Sequence, residues 1–393
     1  MSQLGDWAAR VALAVLVLDR TGSAALTSLT TAVSLLPWVG LGQVIAAWGD
    51  RYPRRAVMIY ADLIRAAAFG LMCIEIPVWS LLALAFLGGC ATPPFEAARA
   101  ATMPNTVSKD VYPAAIALTG ATYQVAILLG ALAGGGLIAV AGARGALALN
   151  AATFLASAVT LSRLRTAQVP AGGHNRSGVR QGWRAVFGDQ IVRRALANCA
   201  VPSACAVVIE SLVPVYVVGE LREPKAATGI FVAAIPVGTL IATVATPLRG
   251  TPSRLLRVSA VVGLVGSSAA LAGFAADLPV PWILAAFFCA GAVFASGIPA
   301  NAVMGLRIAD DVRASAFGVL AGLLQAALAG GAALGGVIAA WLGVRLAFVG
   351  ALALGAGFSA WTLLRPVDAA LDVRAPAESG DGGDVEADRP VLK

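Results

Sequence analysis

The feature that most constrains this chain is a succession of apolar runs, each about as long as a bilayer is thick. Residues 226–247, 279–302 and 314–341 carry no charged side chain. A hydrocarbon core of about 30 Å is crossed by about 20 residues of helix. Cutting the sequence at charges, prolines and glycines gives about twelve such stretches. They run roughly over 3–20, 24–47, 55–75, 78–99, 113–140, 144–163, 191–218, 226–247, 254–275, 279–302, 314–341 and 345–365. The runs are continuous rather than alternating, so they read as helices and not as the strands of a barrel. Composition agrees: of 393 residues 59% are hydrophobic and only 12% charged, with a mean hydropathy of +0.83. A soluble domain is about half apolar and a quarter charged, so lipid must be the solvent. The expected fold is an all-α polytopic membrane protein.

Several function classes fall away. The net charge of +7 is that of a membrane protein with basic cytoplasmic loops, and no basic stretch interleaved with aromatics offers a nucleic-acid face. Cys73, Cys90, Cys199, Cys205 and Cys289 all lie in apolar runs without metal-ligand spacing and read as packing residues. The single histidine, His174, sits in a polar loop, which argues against a histidine metal site or catalytic triad. Neither a phosphate-binding G-x-x-x-x-G-K loop nor any other catalytic cluster or cofactor motif is visible, so no enzymatic role is expected. Ser2 to Leu18 carries charges at Asp6 and Arg10 and no small-residue cleavage motif, and reads as a first spanning helix rather than a signal peptide.

Arginine and lysine set the expected orientation. With twelve spans, most cations fall on one side, among them Arg51, Arg54, Arg55, Arg99, Arg193, Arg194, Arg257 and Arg307, while the other side keeps only Arg20, Arg144, Arg222, Lys225 and Arg345. The positive-inside rule then puts both termini in the cytoplasm, in a multi-pass protein of the cell membrane. The polar, arginine-rich stretch 164–190 reads as a cytoplasmic linker between an N-terminal bundle, 1–163, and a C-terminal bundle, 191–365. Residues 366–393 have too little apolar content to fold and are expected to form a disordered tail.

The two halves repeat. GALAGG at 130–135 returns as GAALGG at 331–336, 201 positions later, and the same offset pairs Gly142 with Gly343, Arg144 with Arg345, Gln124 with Gln325 and Asp110 with Asp311. This predicts a duplicated six-helix unit, and because six is even the copies share one orientation, a parallel repeat. Gly130, Gly134 and Gly135, with Gly331, Gly335 and Gly336, are the expected helix-packing positions.

Residues 49–55, GDRYPRR, form one of the densest charge clusters in the first 160 residues. Asp50 falls at the C-terminal end of the second span, where the helix dipole disfavours an anion, so it needs cationic or amide partners. Together with the two halves, the sequence AAWGDRYPRR at 46–55 resembles the major facilitator superfamily, whose loop signature is G-x-x-x-D-R-x-G-R-R. Asp50, Arg51, Arg54 and Arg55 match; Ala46 and Pro53 stand where the family has glycine. LGDW (4–7), TGS (21–23), ADLIRA (61–66) and FEAARAATMP (95–104) are similar to the bacterial drug, macrolide and siderophore exporter branch. GALAGG resembles the antiporter signature G-P-x-x-G-G, with Ala131 in place of proline.

The resemblance implies a secondary transporter that works by alternating access, exporting an amphipathic small molecule in exchange for protons; import of a sugar or other metabolite is the alternative. The expected partners are that small molecule, protons and the lipid bilayer, with no nucleic acid, and the chain is expected to be monomeric. The resemblance further makes the 49–55 loop a latch against the start of the eleventh helix, near Arg313–Ser315. Asp62–Arg65 and Glu96–Arg99, each three residues apart, are expected to complete its ion network. Asp6 and Arg10 are four apart on one helix face and can pair. Glu210 stands in the seventh span without a cation at helical spacing in its own helix. Three readings are open for it: a proton-coupling group, a carboxylate for a cationic substrate, or a residue near the outer interface. Trp38, Gln43, Tyr123, Gln124 and Gln325 are the candidates for substrate contact, the aromatics by stacking.

Overall fold

The computed structural model describes residues 2–39, 52–102, 112–163, 177–276, 278–309 and 312–365, and the regular elements among them are helices. In chain order these are α1 (Ser2–Thr21), α2 (Ala24–Leu35), continued by a 3₁₀ turn (Leu36–Trp38), α3 (Arg54–Leu71), α4 (Val78–Cys90), α5 (Thr92–Thr102) and α6 (Tyr112–Arg163). There follow α7 (Ser177–Gly188), α8 (Gln190–Val215), α9 (Thr228–Ala245), α10 (Pro252–Ala275), α11 (Val280–Phe294), α12 (Gly297–Arg307), α13 (Arg313–Leu342) and α14 (Val344–Leu364). Gln43, Asp50, Arg51 and Asp110, together with residues 164–176 and all of 366–393, lie outside the described residues.

Local sequence sets the boundaries. The Ser23 hydroxyl accepts from the Leu26 N–H at 3.3 Å and starts α2. Asp189 starts α8, its carboxylate accepting from the Ile191 N–H at 2.7 Å, and Thr251 followed by Pro252 starts α10. Side-chain acceptors here satisfy amides that have no partner inside the helix. Pro53, with φ −55°, leads directly into α3; a fixed φ suits the entry to a helix better than the turn in which the family signature has glycine. Gly142 (φ 69°) breaks α6, and Gly343 (φ 89°) separates α13 from α14. Both adopt the left-handed backbone that only glycine takes without strain.

Eight helical segments among the described residues are long and apolar enough to cross a bilayer, fewer than the twelve expected. The difference has physical causes. Residues 122–163 count as one apolar stretch although Gly142 breaks it. The first helix carries Asp6, Arg10, Asp19 and Arg20, and the third carries Arg54, Arg55, Asp62 and Arg65, too many charges for an apolar window. The second ends at Trp38 where the described residues stop. Large apolar side chains on the periphery are bare: Val140 is 90% exposed, Trp341 85% and Trp79 68%, as expected where lipid completes the packing. A helix absent from the sequence reading is α7, inside the presumed linker. Its Gly182 and Val186 are buried while Trp183 and Phe187 are exposed and stacked, ring centroids 5.2 Å apart.

The offset of 201 positions recurs in glycine contacts. A Cβ placed on Gly130 would come within 2.6 Å of the Leu4 carbonyl oxygen, and one on Gly134 within 3.0 Å of Ala8. At the matching positions, Gly331 lies against Ala204 and Gly335 against Val208. Gly135 lies against Ala226 and Gly229, and Gly336 against Ala25 and Ser28. Each of these partners is displaced by 200 or 201 positions from its counterpart. The arginines after the two breaks follow suit: Arg144 reaches Glu75 at 2.7 Å, and Arg345 donates to the Phe274 and Ala275 carbonyls at 2.9 and 3.0 Å. Glu75 is exposed, and its carboxyl is held below the ordinary value by the hydrogen bond from Arg144.

These contacts make a paired prediction. Gly134→Leu should force α6 off α1, an overpacking cost of about 1–3 kcal/mol, read as a lowered thermal midpoint in detergent. Gly136→Leu, two positions away with open space around it, should leave the midpoint unchanged.

Candidate functional site

A cavity of about 440 Å³, with several charged side chains in its wall, is bordered by helices from both sides of the 164–190 segment. From α1 come Asp6, Trp7 and Arg10; from α3, Arg65; from α5, Glu96; from α6, Tyr123; from α8, Glu210; and from α13, Gln325. Trp38, at the end of the 3₁₀ turn, closes one flank. Positions chosen from widely separated parts of the sequence therefore share one wall. Along α1 the cavity occupies the first part of the helix, and Asp19, near its other end, meets Lys225 at 2.8 Å. The glycine contacts of Gly135 with Ala226 and Gly229 belong to that same end, next to Lys225.

The charges are arranged across helices rather than along them. Arg65 is 2% exposed and Asp62 is fully buried; the guanidinium donates to the Asp62 carboxylate at 2.6 Å. Its other nitrogen lies 3.8 Å from Asp6. The guanidinium plane is held between two rings, 4.4 Å from the Phe95 centroid and 4.5 Å from that of Phe154. Planarity and weak hydration suit arginine to this double stacking. The expected Asp6–Arg10 pair is replaced: Asp6 reaches across to Arg65 on α3, and Arg10 lies over the Trp7 ring at 4.7 Å. The i,i+4 spacing permits a pair within α1, but a buried arginine beside two rings competes better for the carboxylate.

Glu96 accepts from Arg99 at 3.0 Å and from the Gln3 side-chain amide at 3.1 Å. Glu210 borders both the main cavity and a crevice of about 50 Å³, shared with Arg10, Thr30, Ser34 and Ser211. Arg10 is the cation that acts on it electrostatically, supplied by α1 rather than by its own helix. Gln325 borders the cavity with its carbonyl oxygen buried and unbonded, whereas Gln124, its counterpart in the repeat, is not part of the wall; its neighbour Tyr123 is. Successive helix residues point about 100° apart, so α6 presents to the cavity the face that carries Tyr123 and not the one that carries Gln124. Of the loop cations, Arg55 donates to the carbonyls of Leu161 and Ser162 at the end of α6, at 2.9 Å to Leu161. Asp50, Arg51 and Gln43 fall outside the described residues.

Sequence reasoning missed several wall residues. Gln3, Thr31 and Ser34 border the cavity, and the signal for Thr31 and Ser34 is the run of small polar residues along the otherwise apolar α2. Asn150 is buried beside α1, its side-chain oxygen occupying the space a Cβ on Gly5 would need.

Comparison with known proteins agrees with this architecture. Residues 1–256 match the family model of the Major Facilitator Superfamily, and the chain belongs to that family of membrane-spanning transporters. Over 362 residues it is 26% identical to an uncharacterized MFS-type transporter, YfiS, of Bacillus subtilis, covering 89% of this chain and 87% of that one. It is 26% identical over 376 residues to the multidrug efflux pump Tap of Mycobacterium tuberculosis, covering 90% and 88%. A shorter match, 33% over 88 residues, covers 21% of this chain and 22% of macrolide efflux protein A of Streptococcus pyogenes. Among solved structures, a bacterial homolog of the human lysosomal transporter Spinster, inward-facing and unoccupied, superposes with a TM-score of 0.75 at 14% identity, covering 96% and 97%. The nucleoside transporter NupG superposes with a TM-score of 0.66 at 11% identity, covering 92% and 98%. Both share the fold.

Removing Arg65 would leave two carboxylates without their cation. Arg65→Leu is expected to cost about 3–5 kcal/mol, as for other broken buried pairs, seen as a large fall in thermal midpoint. Adding Asp62→Asn to Arg65→Leu should recover part of that loss, which a purely steric role for Arg65 would not allow.

Proposed function

We propose that this transporter exports an amphipathic small molecule, such as a drug, an antibiotic or a siderophore, in exchange for protons. Twelve spans form two six-helix bundles, 1–163 and 191–365, as a parallel repeat joined by the cytoplasmic segment 164–190, with both termini in the cytoplasm. The 201-residue offset supports the duplication, because sequence, helix breaks and glycine contacts all obey it. The chain works as a monomer whose bundles rock about the cavity between them.

The observation that carries the reading is the joint wall of the cavity, where Arg10 from the first bundle acts on Glu210 from the second. A carboxylate there can exchange a proton with the medium each time the cavity changes sides. Neutralising Glu210 removes a negative charge from the wall that Arg10 also borders; a charge moved into low dielectric without a partner is expensive, so protonation state and conformation are linked. The Asp6–Arg65–Asp62 group holds the α1–α3 wall rigid. Trp38 and Tyr123 offer aromatic faces and Gln325 a free carbonyl to a bound substrate. In the outward-open state Asp50 latches the cytoplasmic side against the start of α13. The efflux activity named for the Tap and macrolide relatives supports export over import.

Inverted membrane vesicles test this with a panel of fluorescent cationic dyes and macrolides. Vesicles should accumulate a substrate when their lumen is acidified, and Glu210→Gln should lower that rate at least tenfold while dye binding survives. Full proton-driven transport by Glu210→Gln would remove the coupling role. Movement only in the opposite sense would make the chain an importer.

A further inference from the structure

A second cavity, of about 400 Å³, lies away from the central one, between α8, α10 and the end of α14. Four arginines converge on it: Arg193 and Arg194 from α8, Arg257 from α10, and Arg365 just beyond α14. No aspartate or glutamate lines it, and among the described residues none of the four has a carboxylate within ion-pair distance. What holds them is backbone: Arg193 donates to the Phe187 carbonyl, and Arg194 to that of Arg365 at 3.0 Å. Arg365 also lies over the Trp361 ring at 5.0 Å. At the back of the cavity Asn198 is 5% exposed, and its side-chain oxygen is buried without a partner while its amide donates to Leu256 at 3.3 Å.

Four guanidinium groups around one hollow repel one another unless an anion joins them. Guanidinium forks match phosphate oxygens in geometry as well as charge. The remaining wall is apolar, formed by Phe358, Trp361 and Leu256, which a free inorganic anion would not use. Basic pockets between spanning helices, next to apolar surface, suit the headgroup and first acyl carbons of a charged lipid. The adjoining α7 adds exposed Arg180 and Arg184 beside the exposed Trp183–Phe187 stack, the combination of a helix lying at a membrane surface.

We propose that this arginine-lined cavity binds the phosphate headgroup of an anionic phospholipid, whose acyl chain begins against Phe358 and Trp361. The site requires only that the chain sits in a bilayer, and so is independent of substrate and direction. The competing anions are the carboxylates of 366–393, including Asp368 and Asp372, which follow Arg365 directly in sequence.

The test uses the purified, delipidated full-length protein in detergent, with lipid retention read by native mass spectrometry and the thermal midpoint by fluorescence. Phosphatidylglycerol should be retained and should raise the midpoint above that in phosphatidylcholine. Arg257→Gln, at a side chain that makes no hydrogen bond or ion pair with other described residues, should weaken phosphatidylglycerol binding about five-fold, the loss expected for one cation at an anionic surface. Arg257→Lys should keep most of it. Equal effects of the two lipids, or unchanged binding in Arg257→Gln, would overturn the proposal. Inorganic phosphate alone reproducing the shift would make this a free-anion site instead. A phosphatidylglycerol effect that emerges only after deletion of 366–393 would identify the tail as the occupant.

Discussion

Gly135 meets Gly229 backbone to backbone, and Gly336, 201 positions later, lies against the Ser28 side chain and the Ala25 backbone. Inside a bilayer no hydrophobic force drives helices together, because lipid tails are as apolar as leucine; close packing of small residues has to do it. Each of these contacts joins an element before the 164–190 segment to one after it, and the Asp19–Lys225 pair does the same beside Ala226. Along α1, the charged residues Asp6 and Arg10 of the cavity wall lie toward the opposite end from Asp19. The cavity, its charges and its aromatic flank exist because the helices converge at one end and not at the other.

Within that space electrostatics takes over. A charge in a low-dielectric interior requires a partner or water, and the chain supplies both. Arg65 is fully buried and is satisfied by Asp62, Asp6 and two aromatic rings; its strength lies in complete enclosure. Glu210 and Arg10 are contributed by different halves and border open volume. The first group suits a fixed scaffold. The second is the switch proposed above, because its two groups come from opposite sides of the 164–190 segment and both line the cavity.

The sequence made some of this legible and concealed the rest for definite reasons. Long uncharged runs forecast helices through lipid, since nothing else satisfies the backbone there. The 201-residue offset forecast the packing glycines and the paired breaks at Gly142 and Gly343. Spacing within a helix shows which residues share a face, but not which neighbour that face meets. For that reason Asp6 was matched with Arg10 instead of Arg65, and Gln124 was set beside Gln325 although Tyr123 takes its place. The α7 helix was hidden because a short amphipathic segment among arginines resembles a polar linker until Gly182 is seen packed on Ser315.

The central claim is that the closure at Asp19 and Lys225 opens and re-forms as the cavity changes sides. Spin labels at the adjacent positions Leu18 and Pro224, which leave the Asp19–Lys225 pair in place, on a background with the five cysteines replaced, allow that distance to be measured by pulsed electron resonance at acidic and at alkaline pH. The account predicts two populations, one short and one long, whose proportions shift with pH and cease to shift in Glu210→Gln. A single short distance under every condition would contradict it.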